Sequence, residues 1–191
     1  SKADDLDDLQ FAVDVAIHFD RRVLVEPFIQ NRLEVNCAVM GNQDPIASVC
    51  EQPVSRDALL SYGDKYLHAE RERGMEGAAS IIPAPISTEL TERVQLSAIK
   101  AFRSIDGLGI TRVDFLFDQD TEMLYVNELN TMPGSLAFHL WKHSGVTPQQ
   151  LVDKLLDLAF QAHEDKRRTT YSVATPLLQQ ADAVGLKLKG C

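Results

Sequence analysis

This 191-residue sequence lacks long apolar runs. No uninterrupted apolar stretch approaches the roughly 18 to 20 residues of a membrane-spanning helix. The N-terminus, SKADDLDDLQ, has no basic stretch followed by an apolar one, so the sequence predicts no secretory signal. We therefore expect no membrane partner and a cytoplasmic location.

An excess of positive charge is also absent. The chain has 19 Lys and Arg against 28 Asp and Glu, which gives a formal net charge of −9. Nucleic acids bind to basic surfaces, so we expect no nucleic-acid partner. A nucleotide remains compatible with this balance, because a few local cations and a divalent metal can hold one phosphate chain.

Cysteine is scarce and scattered. Cys37, Cys50 and Cys191 are odd in number and show no CxxC spacing. This pattern predicts three free thiols in a reducing cytoplasm.

The periodicity of apolar residues predicts an α+β fold, because strands and hairpins mix with helices without strict βαβ alternation. We expect helices at 4–18 and 88–105, and strands at 21–29, 33–41 and 44–54, with a hairpin at 112–129. A last helix should begin at Pro148, with Thr147 as its N-cap and Gln150 completing a capping box. Residues 56–80 are polar and read as a lid, and residues 169–191 as a weakly structured tail.

The stretch RVDFLFDQDTEMLYVNELNTMPG, residues 112–134, carries carboxylates where a hydrophobic hairpin would place apolar residues. Side chains alternate between the faces of a strand, so Arg112 shares a face with Asp114, and Glu128 with Asn130. A turn of about five residues, DQDTE, would bring the two pairs onto one surface. The same alternation places Leu124 and Val126 beside Glu128, and places Val113, Phe115, Tyr125 and Leu129 on the opposite face.

Two carboxylates and an amide oxygen on one surface form a hard-oxygen site, which suits Mg²⁺. Arg112 beside them would serve a metal-bound phosphate or a developing oxyanion. The alternative is a surface ion pair between Arg112 and Asp114, with Glu128 facing solvent. The Pro-Gly turn that follows the strand favours the site, because a sharp turn exposes backbone N–H groups.

Several motifs, in order, resemble the D-alanine–D-alanine ligases of the ATP-grasp superfamily over roughly residues 1–160. TRVDFLFD and LYVNELNTMPGSLAFHLW resemble the family's C-terminal signature, and VLVEPFI with LEVNCAVMG its hinge and ribose-binding segment. SYGDKY resembles its mobile loop, and SIIPAPISTEL the extended segment before the next helix. The resemblance implies an ATP-grasp fold. An incomplete small lobe would occupy 1–31, a C-terminal large lobe with an antiparallel sheet and flanking helices 32–168, and a tail 169–191.

The resemblance also implies roles for individual residues. Those implied for the nucleotide are Glu26, Phe28, Ile29 and Leu116 at the adenine, Glu34 at the ribose, and Lys65 at the phosphates. The residues implied for catalysis are Arg112, Tyr66 and the backbone N–H of Gly134. The residues implied for metal binding are Asp114, Glu128 and Asn130. Ser135 and His139 would contact substrate, and His139 replaces a serine that many members have near the carboxylate of the second substrate.

The implied reaction is ATP-dependent joining of two D-alanines through an acyl phosphate, for peptidoglycan synthesis. ATP and two Mg²⁺ ions, or Mn²⁺ in their place, would be the cofactors, and the full-length enzyme would form a homodimer. In the family, a glycine-rich phosphate loop and an N-terminal domain precede SKA, so we expect a C-terminal portion that is inactive alone. The alternatives are a non-catalytic nucleotide-binding or scaffolding module, and an ATP-grasp ligase with another acceptor.

One further pattern is the pair His139 and His143, whose spacing of four can bind zinc on a helix. The glutamate of an HExxH motif is absent. We expect instead that His143 lies on the surface and that Trp141 belongs to the core.

Overall fold

The structure is a computed structural model that describes residues 1–54, 72–73 and 79–169. Within these ranges, six strands form one antiparallel sheet in the order β3-β4-β2-β1-β5-β6. The strands are β1 (Arg32–Gly41), β2 (Ile46–Val54), β3 (Glu72–Arg73), β4 (Ala79–Ile81), β5 (Gly109–Asp118) and β6 (Met123–Asn130). The helices are α1 (Leu6–Ala16), α2 (Thr88–Ser104), α3 (Phe138–His143) and α4 (Pro148–Arg168), and a short turn, Gly134–Ala137, precedes α3. An antiparallel sheet with flanking helices confirms the predicted α+β class.

One face of the sheet packs against α2. This helix presents an apolar residue at every fourth position, so that Leu90, Val94, Ala98 and Phe102 are all buried. They meet the inward residues of the strands, which are Val35, Cys37, Val39, Cys50, Val113 and Phe115. Cys37 and Cys50 lie opposite each other as free thiols, as predicted, and Cys191 is outside the described residues.

The other face is covered at one end by the Gly134–Ala137 turn, α3 and α4. The buried residues there are Ala38, Met40, Ile110, Ala137, Leu140, Trp141 and Leu151. Trp141 is a core residue, as predicted. His143 is half-buried rather than a surface residue, because its Nε2 is enclosed.

Helix α4 begins as its sequence predicts. The Thr147 hydroxyl accepts a hydrogen bond from the Gln150 N–H at 3.3 Å, and the Gln150 side chain accepts one from the Thr147 N–H at 2.9 Å. This capping box satisfies two of the N–H groups that a helix start leaves without partners. It fixes the direction in which α4 approaches the sheet, where Leu151 is 2% exposed.

The N-terminal segment packs differently from the rest. Helix α1 begins at the N-cap Asp5, but none of its residues is buried. The predicted strand at 21–29 is wrong, since these residues form no regular element. A strand requires a neighbour for its N–H and C=O groups, and no described strand pairs with this segment. Three of its large apolar side chains, Leu24, Val25 and Phe28, are exposed.

Among the described residues, no helix combines the length and apolar character needed to span a membrane.

Candidate functional site

Polar side chains cross the sheet in a single line, on the face opposite α2. Glu51 of β2 lies opposite Asn36 of β1, Asn36 opposite Asp114 of β5, and Asp114 opposite Glu128 of β6. Directly opposed residues of antiparallel strands point to the same face, so these four form one polar row. The adjacent line contains Arg112, which lies opposite Asn130. The structure therefore brings together Arg112, Asp114, Glu128 and Asn130, as predicted.

The polar row runs from the interior to solvent. Glu51 is 4% exposed and Asn36 is 7% exposed, whereas Glu128 at the other end is exposed. The buried end adjoins the apolar cluster under α3 and α4. In the described part of the chain, the Glu128 end of the row is accessible to solvent.

Arg112 and Asp114 form a two-pronged ion pair at the centre of this face. The Arg112 Nε donates to Asp114 Oδ1 at 2.7 Å, and an Arg112 Nη donates to Asp114 Oδ2 at 2.8 Å. The hydrogen bonds that Arg112 donates to Asp114 raise the pKa of Arg112, burial opposes this rise, and the negative charges of Asp114, Glu51 and Glu128 add to it. The pair is three-quarters buried, at 25% and 17% side-chain exposure, unlike the surface pair considered above. Each Asp114 oxygen keeps a second lone pair for a metal ion.

The five-residue turn predicted between β5 and β6 is wrong, since Asp118 pairs with Met123 and only residues 119–122 form the turn. The pairing of β5 with β6 also contains a bulge that the sequence did not predict. Asp114 lies opposite Glu128, but Phe115 lies opposite Val126, so Asn127 is the extra residue. A bulge shifts the alternation of side chains by one residue. The predicted facing of residues 124–126 is therefore wrong. Tyr125 lies opposite Leu116 on the side of the polar row, and Leu124 packs against the α2 core.

The turn after β6 has an unusual backbone. Ser135, Leu136 and Ala137 have φ angles of 50°, 54° and 47°, so three consecutive non-glycine residues are left-handed. Each such residue costs about 1–2 kcal/mol, and strain of this kind concentrates at functional sites. The buried Ala137 holds the end of the turn, and the Leu136 N–H donates to the Pro133 carbonyl at 3.0 Å.

A buried histidine–carboxylate pair closes the inner end of the polar row. His139 Nε2 lies 2.9 Å from Glu51 Oε2, and the Asn36 amide donates to Glu51 Oε1 at 3.0 Å. Burial raises the pKa of Glu51, but hydrogen bonds from His139, Asn36 and Ser80 outweigh it and hold that pKa below its usual value. Sequence reasoning selected His139 and missed Glu51, because the two are separated by 88 residues. An acid in an otherwise apolar strand was the available signal.

The residues implied for a nucleotide are partly gathered. Glu34 of β1 lies opposite Leu116 of β5, next to the polar row. Arg32 joins Glu34 to the hinge segment, since it lies 3.5 Å from the Glu34 carboxylate and 5.4 Å from the Phe28 ring centre. It also donates to the Ile29 carbonyl at 3.4 Å. Glu26 is exposed in the same segment.

Lys65 and Tyr66 lie outside the described residues. In the described part of the chain, no three His, Cys, Asp or Glu side chains are grouped so that they could hold a metal ion. The predicted metal set has two carboxylates, and its third donor is the Asn130 amide.

Comparisons with known proteins agree with this geometry. The family described as D-ala D-ala ligase C-terminus matches residues 1–157. The D-alanine–D-alanine ligase of Bacillus cytotoxicus is 38% identical over 177 residues, which covers 91% of this chain and 46% of that protein. The chain thus spans about half the length of the curated relatives it matches.

Solved structures give the same assignment. The D-alanine–D-alanine ligase from Coxiella burnetii is similar with a TM-score of 0.69 and 25% identity, over 98% of this chain and 46% of that one. The VanG D-Ala:D-Ser ligase from Enterococcus faecalis is similar with a TM-score of 0.62 and 26% identity, over 81% of this chain and 43% of that one. With its family model matched along most of its length, the chain belongs to the D-ala D-ala ligase C-terminus family.

Proposed function

We propose that the polar face of this sheet is the metal- and phosphate-binding half of an ATP-dependent ligase that joins two D-alanines. The observation that carries the proposal is the register of β5 and β6, which opposes Asp114 to Glu128 and Arg112 to Asn130. We infer D-alanine as the substrate from the names of the relatives, which are D-alanine–D-alanine ligases. The geometry supplies a charge pattern that suits phosphoryl and acyl transfer.

Asp114, Glu128 and Asn130 are the side chains that would hold Mg²⁺, because all three offer hard oxygen donors on adjacent strand positions. Bound there, Mg²⁺ would neutralise the charge of a transferring phosphate. We propose that the site binds two Mg²⁺ ions and that Mn²⁺ can replace them. Arg112 is fixed by Asp114 close to this set, so its guanidinium is already oriented before a substrate arrives.

In the proposed reaction, a carboxylate oxygen of one D-alanine attacks the γ-phosphorus of ATP, and ADP leaves. The amine of the second D-alanine then attacks the acyl carbon, phosphate leaves, and the amine loses a proton. Arg112 and the Gly134 N–H would stabilise the tetrahedral oxyanion. Glu34 would bind the ribose, and the group Glu26, Phe28, Ile29 and Leu116 would surround the adenine. Lys65 and Tyr66 would contact the phosphates, and Ser135 and His139 the substrate.

A ligase with another acceptor is the second candidate. Its support is the similarity to a D-Ala:D-Ser ligase, together with His139 at the position where the resembled family commonly has serine. We also propose that the chain consists of an incomplete small lobe (1–31), a C-terminal large lobe (32–168) and a tail (169–191). The full-length enzyme would be a homodimer located in the cytoplasm.

Calorimetry tests the nucleotide site directly. The 191-residue chain is titrated with ATP and Mg²⁺, and the titration is repeated with Asp114→Asn plus Glu128→Gln. We expect the double variant to weaken binding at least about tenfold, a loss of ~1.4 kcal/mol. A matched control changes two exposed acids elsewhere, Glu92→Gln plus Asp153→Asn, and should bind as the wild type does.

Two outcomes would contradict the proposal. The metal-site assignment is overturned if the double variant binds ATP and Mg²⁺ as tightly as the wild-type chain does. The substrate is tested separately by phosphate release with D-alanine, after an N-terminal portion of a relative is added in trans. A preference for glycine, D-lactate or D-serine over D-alanine as acceptor would overturn the assignment of the second substrate.

A further inference from the structure

Three hydrogen bonds join the turn between β5 and β6 to the residue that precedes β1. The Asn31 carbonyl accepts from the Gln119 N–H at 3.0 Å. The side-chain oxygen of Asn31 accepts from the Gln119 amide at 3.0 Å, and its amide group donates to the Asp120 carboxylate at 2.8 Å. We call these three contacts the Asn31 clasp. One residue thus uses its backbone and both of its side-chain polar atoms on a turn that lies 88 and 89 residues away in sequence.

The turn that makes these contacts is itself fixed in shape. The Asp118 carboxylate accepts from the Asp120 N–H at 2.9 Å and from the Thr121 hydroxyl at 2.8 Å. Aspartate side chains commonly stabilise turns by bonding to the backbone two residues on. From α2, an Arg93 Nη donates to the Glu122 carbonyl at 3.0 Å. The turn is therefore a fixed point that is tied to the sheet and to the helix behind it.

The clasp connects two parts of the chain that the proposed function places around adenine. Phe28, in the hinge segment (residues 23–29), comes three residues before Asn31, and Leu116 comes three residues before Gln119. A chain spans at most about 3.6 Å per residue, so the clasp keeps both side chains within roughly 11 Å of one point along the backbone. The hinge segment pairs with no described strand. Contacts such as the clasp, rather than a strand ladder, therefore position it.

We propose that Asn31, Gln119 and Asp120 are positioning residues for the nucleotide, which hold the hinge segment at the distance from Leu116 that adenine requires. The inference rests on the proposed function and extends it to the β5–β6 turn. When a binding segment is in place for only a fraction of the time, the apparent affinity falls in proportion to that fraction. The clasp acts on the base, because the register of β5 and β6 holds the proposed metal ligands independently of Asn31.

An exchange of two side chains tests the clasp by calorimetry with ATP and Mg²⁺. Asn31→Asp sets two carboxylates against each other, because the group that donates to Asp120 becomes an acceptor. We expect this variant to weaken ATP binding about fivefold, which corresponds to the loss of about one hydrogen bond. Adding Asp120→Asn to the same chain restores a donor at the other end of the contact. The double variant should therefore regain an affinity close to that of the wild type.

Tripolyphosphate with Mg²⁺ separates positioning of the base from general damage, because it presents phosphates without adenine or ribose. We expect Asn31→Asp to bind tripolyphosphate as the wild type does, although it binds ATP more weakly. Gln161→Glu, which adds the same charge at an exposed position of α4, is the matched control and should bind both ligands as the wild type does.

Motion of the hinge segment provides a readout that needs no nucleotide. ¹⁵N relaxation of the nucleotide-free 191-residue chain reports backbone motion on the picosecond to nanosecond timescale. We expect the order parameters of Phe28 and Ile29 to fall in Asn31→Asp, and to return to their wild-type values when Asp120→Asn is added.

Four results would overturn the inference. They are an ATP affinity of Asn31→Asp equal to that of the wild type, an equal loss for ATP and tripolyphosphate, no recovery in the double variant, and unchanged order parameters at Phe28 and Ile29. A failure of the proposed function is distinguishable, because it is read from the variant of Asp114 and Glu128, in which the clasp is intact.

Discussion

The two faces of strands β1 and β5 consist of alternate residues of the same two chain segments, yet they differ in chemistry. Toward α2, Val35, Cys37 and Val113 are 0% exposed and belong to the hydrophobic core. On the other face, their sequence neighbours Asn36 and Asp114 belong to the polar row. The comparison shows that one face stabilises the sheet, which leaves the other face free to hold charges in fixed positions.

The largest loss of stability is expected from a core substitution on the α2 side of the sheet. Phe102 is 0% exposed, and Phe102→Ala should lower the free energy of unfolding by about 3–5 kcal/mol, because it leaves a cavity. Urea denaturation followed by circular dichroism measures this. Leu96→Ala on the same helix, where the side chain is 60% exposed, should cost less than about 0.5 kcal/mol. Equal costs for the two variants would show that α2 does not pack on the sheet as described.

An intermediate effect is expected on the polar side. Arg112→Met keeps the length of the side chain but leaves the partly buried Asp114 without its two donors. The loss of stability should be about 1–3 kcal/mol, the usual cost of an unsatisfied polar group. Exposed Lys100→Met on α2 serves as the control in the same denaturation experiment. A stability equal to wild type would mean that the ion pair contributes nothing to the sheet and that Arg112 is retained for ligand binding alone.

A smaller effect is expected where α4 begins to cover the polar side. Thr147→Ala removes the hydroxyl that accepts from the Gln150 N–H, at a cost of about 1 kcal/mol. Thermal unfolding detects the change as a lowered Tm. Gln149→Ala, exposed in the first turn of the same helix, is the control. If both variants lower the Tm equally, the capping box is not what fixes the start of α4.

The smallest effect is the pH dependence that one carboxylate contributes. Interactions in the folded state hold the pKa of Glu51 below its usual value, so its stabilisation is present above the unfolded pKa of about 4.3. That stabilisation is lost as the pH falls from there through the folded pKa. Urea denaturation between pH 7 and pH 3 should show a steeper loss for wild type than for Glu51→Gln. Parallel curves would indicate that Glu51 has the same proton affinity in both states.

The predictions about the fold succeeded where the sequence pattern was long and local. Residues 88–105 have a helical period, and the observed helix is Thr88–Ser104. The strand pattern at 33–41 corresponds to β1, and the Thr147 capping signal marks the start of α4. The strand predicted at 21–29 failed because its apolar residues satisfy strand propensity, whereas a strand also needs a neighbour to pair with.

The predicted placement of the site residues was confirmed on one hairpin, where Arg112, Asp114, Glu128 and Asn130 share a face, whereas their roles stay predictions. The sequence predicted that Asp114 and Glu128 share a face and left open whether Asp114 opposes Val126 or Glu128. The structure opposes it to Glu128, but only because the bulge compensates for a turn that is one residue shorter than predicted. The bulge at Asn127 shifts that alternation within the same hairpin, and no residue there signals it. Glu51 was missed because its partner His139 arrives from α3, and contacts between distant segments leave no periodic trace in the sequence.

The sequence by itself determined which residues are apolar at strand and helix spacing, where α4 is capped, and that carboxylates replace apolar residues in the 112–134 hairpin. These features depend on neighbours within a few residues, which is why they can be read locally. The tertiary structure alone decided that Glu51, Asn36, Asp114 and Glu128 form one row, since this requires the registers of four strands. It also decided that His139 and Glu51 meet, because the packing of α3 on the sheet joins segments that the chain keeps far apart.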